Sequence, residues 1–501
     1  MSCADRIADL EGRVAALLER VVQLTAEVER LKPFEARVAR LEAENATLRE
    51  KLARSSRNSS KPPSSDSPKE KAERPTKKPT GRAAGGQPGH PKHERPAWPA
   101  AKVNRRVILV PEQCEKCGSP LVGEDPNPSR HQVFELPKVE PDVTEFVQHG
   151  RGCACCGHVT RAPLPPGVPT RAFGPSVDAV VSYLMLHKLG KRGVAEVLYD
   201  LYGLPISLGA VIDSQREMSE ALAEPYVEIV EHAQAAPIKN ADETSWIEGK
   251  GKKAKVWLWT LVTASAIIFM IQRTRATNGA LKLLLNGRTP IGELVFGVLG
   301  TDRHGAYNFW PLERRQFCWS HLDRDFTAIS ERPGAAGDMG RKLLDEADRM
   351  FAWWHRVRDG TLPRARFQVY MRPLRARVEA VLAEGVALGD PKTAHTCAKL
   401  LKSSEAMWTF VRIEGVEPTN NCGERAVRPG VIYRKLSGGT KSEAGSRFVE
   451  RILTVRATLR LQDRPILSFL RAAAEARLRR STPPSLLPRE HHESAPLRVA
   501  A

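Results

Sequence analysis

The chain has 501 residues, 27% of them charged, with 77 Lys+Arg against 58 Asp+Glu and a net charge of +19. That length exceeds one simple core, so three or more units are expected. The basic excess favours a polyanionic partner, with solvated basic faces as the plain alternative. No apolar run reaches the roughly 18 residues of a membrane span, and no secretory pattern stands at the N-terminus. Nine cysteines in such a chain point to thiols or metal ligands in a reducing, cytoplasmic compartment rather than to disulfides.

Residues 5–53 carry a heptad pattern. Ile7, Val14, Val21 and Val28 occupy one seam position, and Leu10, Leu17, Leu24 and Leu31 the other. β-Branched residues at a with leucine at d predict a parallel two-stranded coiled coil, hence self-association. Phe34, beside Pro33, follows Leu31 by three residues, and the seam resumes as Val38, Leu41, Asn45, Leu48 and Leu52. The extra step reads as a stammer. A single amphipathic helix folded back on its own chain is the competing reading. Residues 54–106 then change to Ser, Pro, Gly and Lys, with 14 basic side chains against 4 acidic ones. Such a segment buries no core and reads as a disordered basic linker, suited either to phosphate contact or to solubility alone.

Residues 107–165 hold two C-x-x-C knuckles, Cys114/Cys117 and Cys153/Cys156, with Cys155 as a spare. Paired knuckles match a structural four-thiolate Zn2+ site, and "RHQVFELP" and "VTEFVQHG" read as short strands between them. Helical periodicity occupies 174–235. A turn at Gly203 before a helix opening at Ser207 fits either a helix-turn-helix or a structural bundle. From 236 the pattern becomes three apolar strands, a helix and a fourth strand, an α/β layer with a mixed sheet.

Asp242 comes from the first of those strands, and Asp302 ends the fourth. "TNNCGERAV" reads as a capped helix start bearing Glu424. Three converging carboxylates would repel unless a hard divalent cation joined them. A pair of such ions would suit phosphodiester chemistry. Arg425, Arg428 and Lys435 would then reach DNA phosphates. The plain alternatives are a turn residue, a strand-end cap, and Glu424 paired with Arg428 at i,i+4.

"NADETSW", "LGTDRHGAYN", "FCWSHLDRDF" and "PTNNCGERAVRPGVIYRK" resemble the signature blocks of insertion sequence 66 family transposases. The coiled coil, "SSKPPSSD", "GGQPGH" and the knuckles follow in the family's order. The resemblance covers about residues 5–475. It implies a ribonuclease-H-like core over 236–475 of the Asp-Asp-Glu type, with Asp242, Asp302 and Glu424 as the acids. It also implies an all-helical insertion near 326–415, a C-terminal tail at 476–501, and accessory proteins encoded alongside. Cys318, His321 and Asn421 are read as structural or positioning residues, since two metal ligands alone make an incomplete site.

The expectation is therefore a multidomain protein: coiled coil, zinc module, helical DNA-binding region and α/β core. Its function would be a nucleoid-associated transposase that uses Mg2+ or Mn2+ to cleave element ends in double-stranded DNA. The freed 3′-hydroxyl would be joined to target DNA. A non-catalytic DNA-binding regulator built from the same modules is the alternative.

Overall fold

The computed structural model describes residues 3–59, 61, 66–72, 96–249, 254–290 and 295–489. Most of the expected basic linker lies outside these residues. The chain divides into two units, 1–73 with 173–188 and 215–501, and 74–172 with 189–214.

Helix α1 (Cys3–Ala53) runs unbroken through Pro33. Its seam is uncovered: Ile7, Leu10, Val14, Leu17, Val21, Leu24, Val28 and Leu31 are all exposed. No described part of the chain packs on it, so the folded-back reading does not hold. The linker is not wholly free, however. Asp66 accepts from the Ser56 backbone at 2.9 Å and from its hydroxyl, Asn58 donates to Glu331 at 2.7 Å, and a short α2 (Pro68–Ala72) follows.

In the smaller unit each cysteine pair sits in a tight turn. Cys114 N–H donates to Ser119 and Gly118 N–H to Cys114, while Cys153 N–H donates to His158 and Gly157 N–H to Cys153. Gly118 and Gly157 both have φ of +71°, a conformation that glycine adopts without a Cβ clash. β1 (Gly150–Gly152) and β2 (Val159–Arg161) form an antiparallel pair around the second turn. The strands expected at 130–137 and 143–150 do not form a ladder, apart from Gly150 at the start of β1. Val133, Leu136 and Val143 are at least 80% exposed, so their apolar alternation has no surface to pack on.

Helices α3 (Pro175–Leu186), α4 (Lys191–Tyr202), α5 (Leu208–Ala221) and α6 (Ala223–Gln234) follow. Gly203 closes α4 in the left-handed conformation, and Ser207 Oγ accepts from Ala210 N–H at the start of α5. The turn layout agrees with the sequence reading.

The core sheet comprises β3 (Ile238–Glu248), β4 (Ala254–Val262), β5 (Ile267–Gln272), β6 (Val298–Thr301) and β7 (Arg315–Phe317), with α7 (Thr277–Leu285) between β5 and β6. The order is β5-β4-β3-β6-β7, with β3–β5 antiparallel and β6 and β7 parallel to β3. β7 was not expected; three residues are too few to show periodicity. The helical segment starts earlier than 326: α8 (Trp319–Ser330) leads into α9 (Ala335–Arg358), α10 (Arg364–Val386), α11 (Pro391–Lys402) and the short α12 (Thr409–Arg412). These enclose one apolar cluster in which Trp354 packs among Phe367 and Phe410.

The last helices cover the sheet. They are α13 (Asn421–Ser437), α14 (Glu443–Leu461) and α15 (Ile466–Arg479). α14 seals the free edge of β5, where the N–H groups of Ile267, Phe269 and Ile271 donate to Thr458, Thr454 and Glu450 side chains. Four helical residues rise about 6.0 Å and two strand residues about 6.6 Å, so the i, i+4, i+8 series keeps step with alternate strand amides. An open edge would otherwise be a pairing hazard. The segment after Ser481 is also held, as far as residue 487: Leu486 is fully buried, and Gln462 and Arg464 donate to the carbonyls of residues 485–487. Among the described residues no helix is long and apolar enough to cross a membrane.

Candidate active site

The register of the parallel strands brings the two aspartates together. Ile238, Lys239 and Asn240 face Val298, Leu299 and Gly300; continued by two residues, the register sets Asp242 opposite Asp302. On the other side Thr301 faces Phe317, and one further step sets Asp302 opposite Cys318. Asp242 lies within its strand, whereas Asp302 follows the end of its own. β3 continues six residues beyond it alongside β4, whereas β6 stops just short of Asp302.

Each aspartate spends one oxygen on backbone. Asp242 Oδ1 accepts from Glu243 N–H at 2.9 Å, and Asp302 Oδ1 accepts from His304 N–H at 2.8 Å. Burial pushes the Asp242 carboxyl well above its ordinary range, and the Glu243, Asp302 and Glu424 charges push it the same way. Asp242 thus feels the charge of both other predicted acids, but among the described residues the three do not draw close enough to form one ligand group; Glu424 is instead grouped with Cys318 and His321. Glu243 has partners of its own, salt-bridged to Arg275 at 2.9 Å and accepting from the Tyr307 hydroxyl at 2.7 Å.

The loop carrying Asp302 is anchored by Arg315, which is 1% exposed. Its guanidinium reaches Thr301 Oγ1, Asn308 Oδ1 and the carbonyls of Asp302 and His304 at 3.0–3.3 Å. Burial lowers its pKa to about 10. The planar fork suits this set of acceptors in a way a lysine would not.

Glu424 is positioned by Asn420. Its side chain accepts from Asn240 at 2.9 Å and donates to the Ala241 carbonyl at 2.8 Å. Its backbone N–H donates to Cys318 Sγ at 3.1 Å and its carbonyl accepts from Glu424 N–H. Asn420 occupies the cap position of α13 without a side-chain cap bond, because that side chain is committed to β3. Gly300 and Gly423 make room for the amide pair: a Cβ on either would lie 2.4–2.7 Å from Asn240 or Asn420 side-chain atoms. Along α13, Gly430 abuts Leu258, and Tyr433 stacks on Trp246 with ring centroids 6.1 Å apart.

Cys318 caps α8 and His321 lies in its first turn. Cys318, His321 and Glu424 offer ligand atoms that all lie within 4.8 Å of one another, a group that could hold a metal ion. Arg428 does not pair with Glu424; the near partner is His321, with Nδ1 and Oε1 3.5 Å apart. Asn421, by contrast, makes one long contact of 3.5 Å with the Ser320 hydroxyl. Arg425, Arg428 and Lys435 are exposed on one stripe of α13, and none has an ion-pair partner among the described residues.

Each cysteine knuckle unites its own pair, Cys114 with Cys117 and Cys153 with Cys156. The two pairs do not converge into a group of three or more among the described residues. Cys155 contributes its backbone to Cys153.

A sequence profile described as "Transposase IS66 family" matches residues 172–447, more than half of the chain. The chain belongs to the IS66 transposase family. The IS66 match contains Asp242, Asp302, Glu424, Cys318, His321 and the basic stripe of α13, and excludes the knuckles. A second profile, "Family of unknown function (DUF6444)", matches residues 13–96. The chain is also similar to "Uncharacterized protein y4qI" of Sinorhizobium fredii, 22% identical over 431 residues that cover 78% of this chain and 75% of the relative. "Uncharacterized protein y4hP" of the same organism is 22% identical over 404 residues, 74% and 71% of the two chains. Both likenesses agree with the IS66 assignment.

Sequence reasoning missed Asn240, Asn420 and Arg315. Adjacent Asn420 and Asn421 look alike in sequence, and nothing local shows which one turns inward. Arg315 is one of 77 basic residues until β7 places it beneath the loop.

Proposed function

We propose that this IS66-family chain is a DNA transposase whose Asp242, Asp302 and Glu424 hold Mg2+ or Mn2+ in a ribonuclease-H-like core. The supporting observation is the crowding of like charge: buried Asp242 feels the charge of both other acids. An all-carboxylate donor set is hard, suits Mg2+, and loses its repulsion when a cation sits among it. The residues present thus fit the ions. When bound, such ions would activate a hydroxyl nucleophile and stabilise the leaving oxygen of a phosphodiester.

The protein's own groups do the rest. Asp242 would present its second oxygen from β3 and Asp302 from the anchored loop just beyond β6, with α13 carrying Glu424 through the Asn240–Asn420 link. The carboxylates serve as ligands and carry no proton in the reaction. Arg425, Arg428 and Lys435, on the outer face of the same helix, fit phosphate contacts beside the reacting strand. The reaction class is strand cleavage at an element end, followed by attack of the freed 3′-hydroxyl on target DNA.

Other modules complete the reading. The exposed apolar seam of α1 would pair two protomers and so hold two element ends. The knuckles would bind Zn2+ once their pairs meet. The α4–turn–α5 segment would contact DNA. The test is Mg2+-dependent nicking and strand joining on DNA carrying the element's ends. Wild type should give both products and Asp302→Asn neither, with DNA binding retained. Equal cleavage by the variant would leave a regulator contaminated by a nuclease as the better account.

A further inference from the structure

Cys318, His321 and Glu424 bring a thiol, an imidazole and a carboxylate to one point, a donor set unlike the all-oxygen group next to it. We propose that they form a separate site for a borderline-soft divalent transition ion, Zn2+ above all, and that Glu424 is shared between this site and the catalytic acids. The sharing rests on the proposed function; the site itself does not.

Three observations carry it. First, the ligand atoms lie within 4.8 Å of one another, and His321 Nδ1 is 3.5 Å from Glu424 Oε1. A tetrahedral zinc with bonds of about 2.0–2.3 Å separates its ligand atoms by roughly 3.3–3.7 Å. One contact already has that spacing, and small side-chain rotations would close the others.

Second, His321 Nδ1 and Glu424 Oε1 are both buried atoms without a hydrogen-bond partner. Unpaired buried polar atoms are costly and call for an explanation. A shared cation explains both at once. Arg324 Nη1, 3.5 Å from His321 Nε2, is free to turn aside when Nδ1 is the ligand.

Third, the Cys318 sulfur already accepts a hydrogen bond: Asn420 N–H points at it from 3.1 Å. Burial raises the pKa of the free thiol, and a bound cation would relieve that penalty while the donor supports a metal-bound thiolate. A thiolate–imidazole pair selects zinc-type ions over Mg2+, and three protein ligands leave a fourth position open.

The placement has a consequence. Cys318 is in register with Asp302, so the soft site is the next position along the row of catalytic groups. An ion there would fix Glu424 against the start of α8 and compete with its turn toward Asp242 and Asp302.

The test uses chelator-stripped full-length protein titrated with Co2+, read by ligand-field and thiolate-to-cobalt absorption. Wild type should bind one equivalent per chain more than Cys318→Ser or His321→Gln, or bind that equivalent at least about 100-fold more tightly. Bands from the N-terminal knuckles should be common to all three proteins. Circular dichroism checks each fold, and the partly exposed His321 carries the test if Cys318→Ser does not fold. Asp302→Asn should keep the extra equivalent whether or not it cleaves DNA, so failure of catalysis and failure of this site are read separately. Equal cobalt uptake and spectra in wild type and both ligand variants would overturn the proposal.

Discussion

Asn240 donates a 2.9 Å hydrogen bond to the Asn420 carboxamide, joining residues 180 positions apart in the chain. This one amide pair bolts the start of α13 to β3, and Glu424 follows one helical turn on. Asn420 is only 2% exposed, so an unmatched replacement leaves buried polar atoms behind. Asn420→Ala is expected to cost about 1–3 kcal/mol of stability. Strand cleavage should fall by about 10–100-fold, as for other groups that orient metal ligands. Gly300→Ala, which would place a Cβ 2.4 Å from Asn240 Nδ2, should reduce cleavage in the same sense. Urea denaturation and single-turnover cleavage measure the two effects.

Asp242 should be a source of instability when no cation is bound. Burial and three neighbouring carboxylates raise its pKa in the folded state. Folding therefore favours its protonated form; that contribution is present in acid and is lost as pH rises through the folded-state value. In chelator at neutral pH, Asp242→Asn should melt above wild type, and the gap should close in acid. Thermal melts across pH test the sign, and a wild type that is the more stable at pH 7 would contradict it.

Glu450 offers an independent pH readout far from the catalytic row. Its carboxyl, 1% exposed, is raised to about 8, chiefly by burial, despite its 3.0 Å salt bridge with Arg447. Here too the folded value lies above the unfolded one, so the penalty grows between about pH 4 and pH 8 and is complete beyond. Glu450→Gln keeps an acceptor for Ile271 N–H and removes the charge. It should be stabilising by a margin on the order of a few kcal/mol above pH 8, and close to neutral at pH 4.

The seal on β5 can be broken one rung at a time. Thr454→Val keeps shape but removes the oxygen that accepts from Phe269 N–H at 2.9 Å. A buried amide without a partner costs about 1–3 kcal/mol. Chemical denaturation should show that loss, while the same change at half-buried Thr396, whose hydroxyl only donates to the Lys392 carbonyl of its own helix, should cost less.

Patterns with a repeat were legible from sequence alone. The heptads of α1, the helical stretch after Ser176, the apolar strands and the helix start at Glu424 all appear where periodicity placed them. The three acids were singled out by a chemical reason for carboxylates on two strands and a following helix to meet, and by the resemblance to insertion sequence 66 transposases, since the residues alone left other triplets open. What escaped was whatever depends on register or on a distant partner. Asp242 lies mid-strand because β3 outruns β6, which no local pattern announces. β7 is too short to have a period. The runs at 130–137 and 143–150 alternate like strands but, apart from Gly150 in β1, form no ladder among the described residues. Glu424 completes a group with Cys318 and His321 only after α8 and α13 are docked, so two ligands looked incomplete in the linear chain.

The most direct measurement of the central claim is Mn2+ binding followed by electron paramagnetic resonance on wild type, Asp242→Asn, Asp302→Asn and Glu424→Gln. If the three carboxylates hold the same cations, each single change should weaken binding by more than the roughly 10–100-fold seen for outer-shell partners. Undiminished Mn2+ affinity in Glu424→Gln, with losses confined to the two aspartates, would contradict the account.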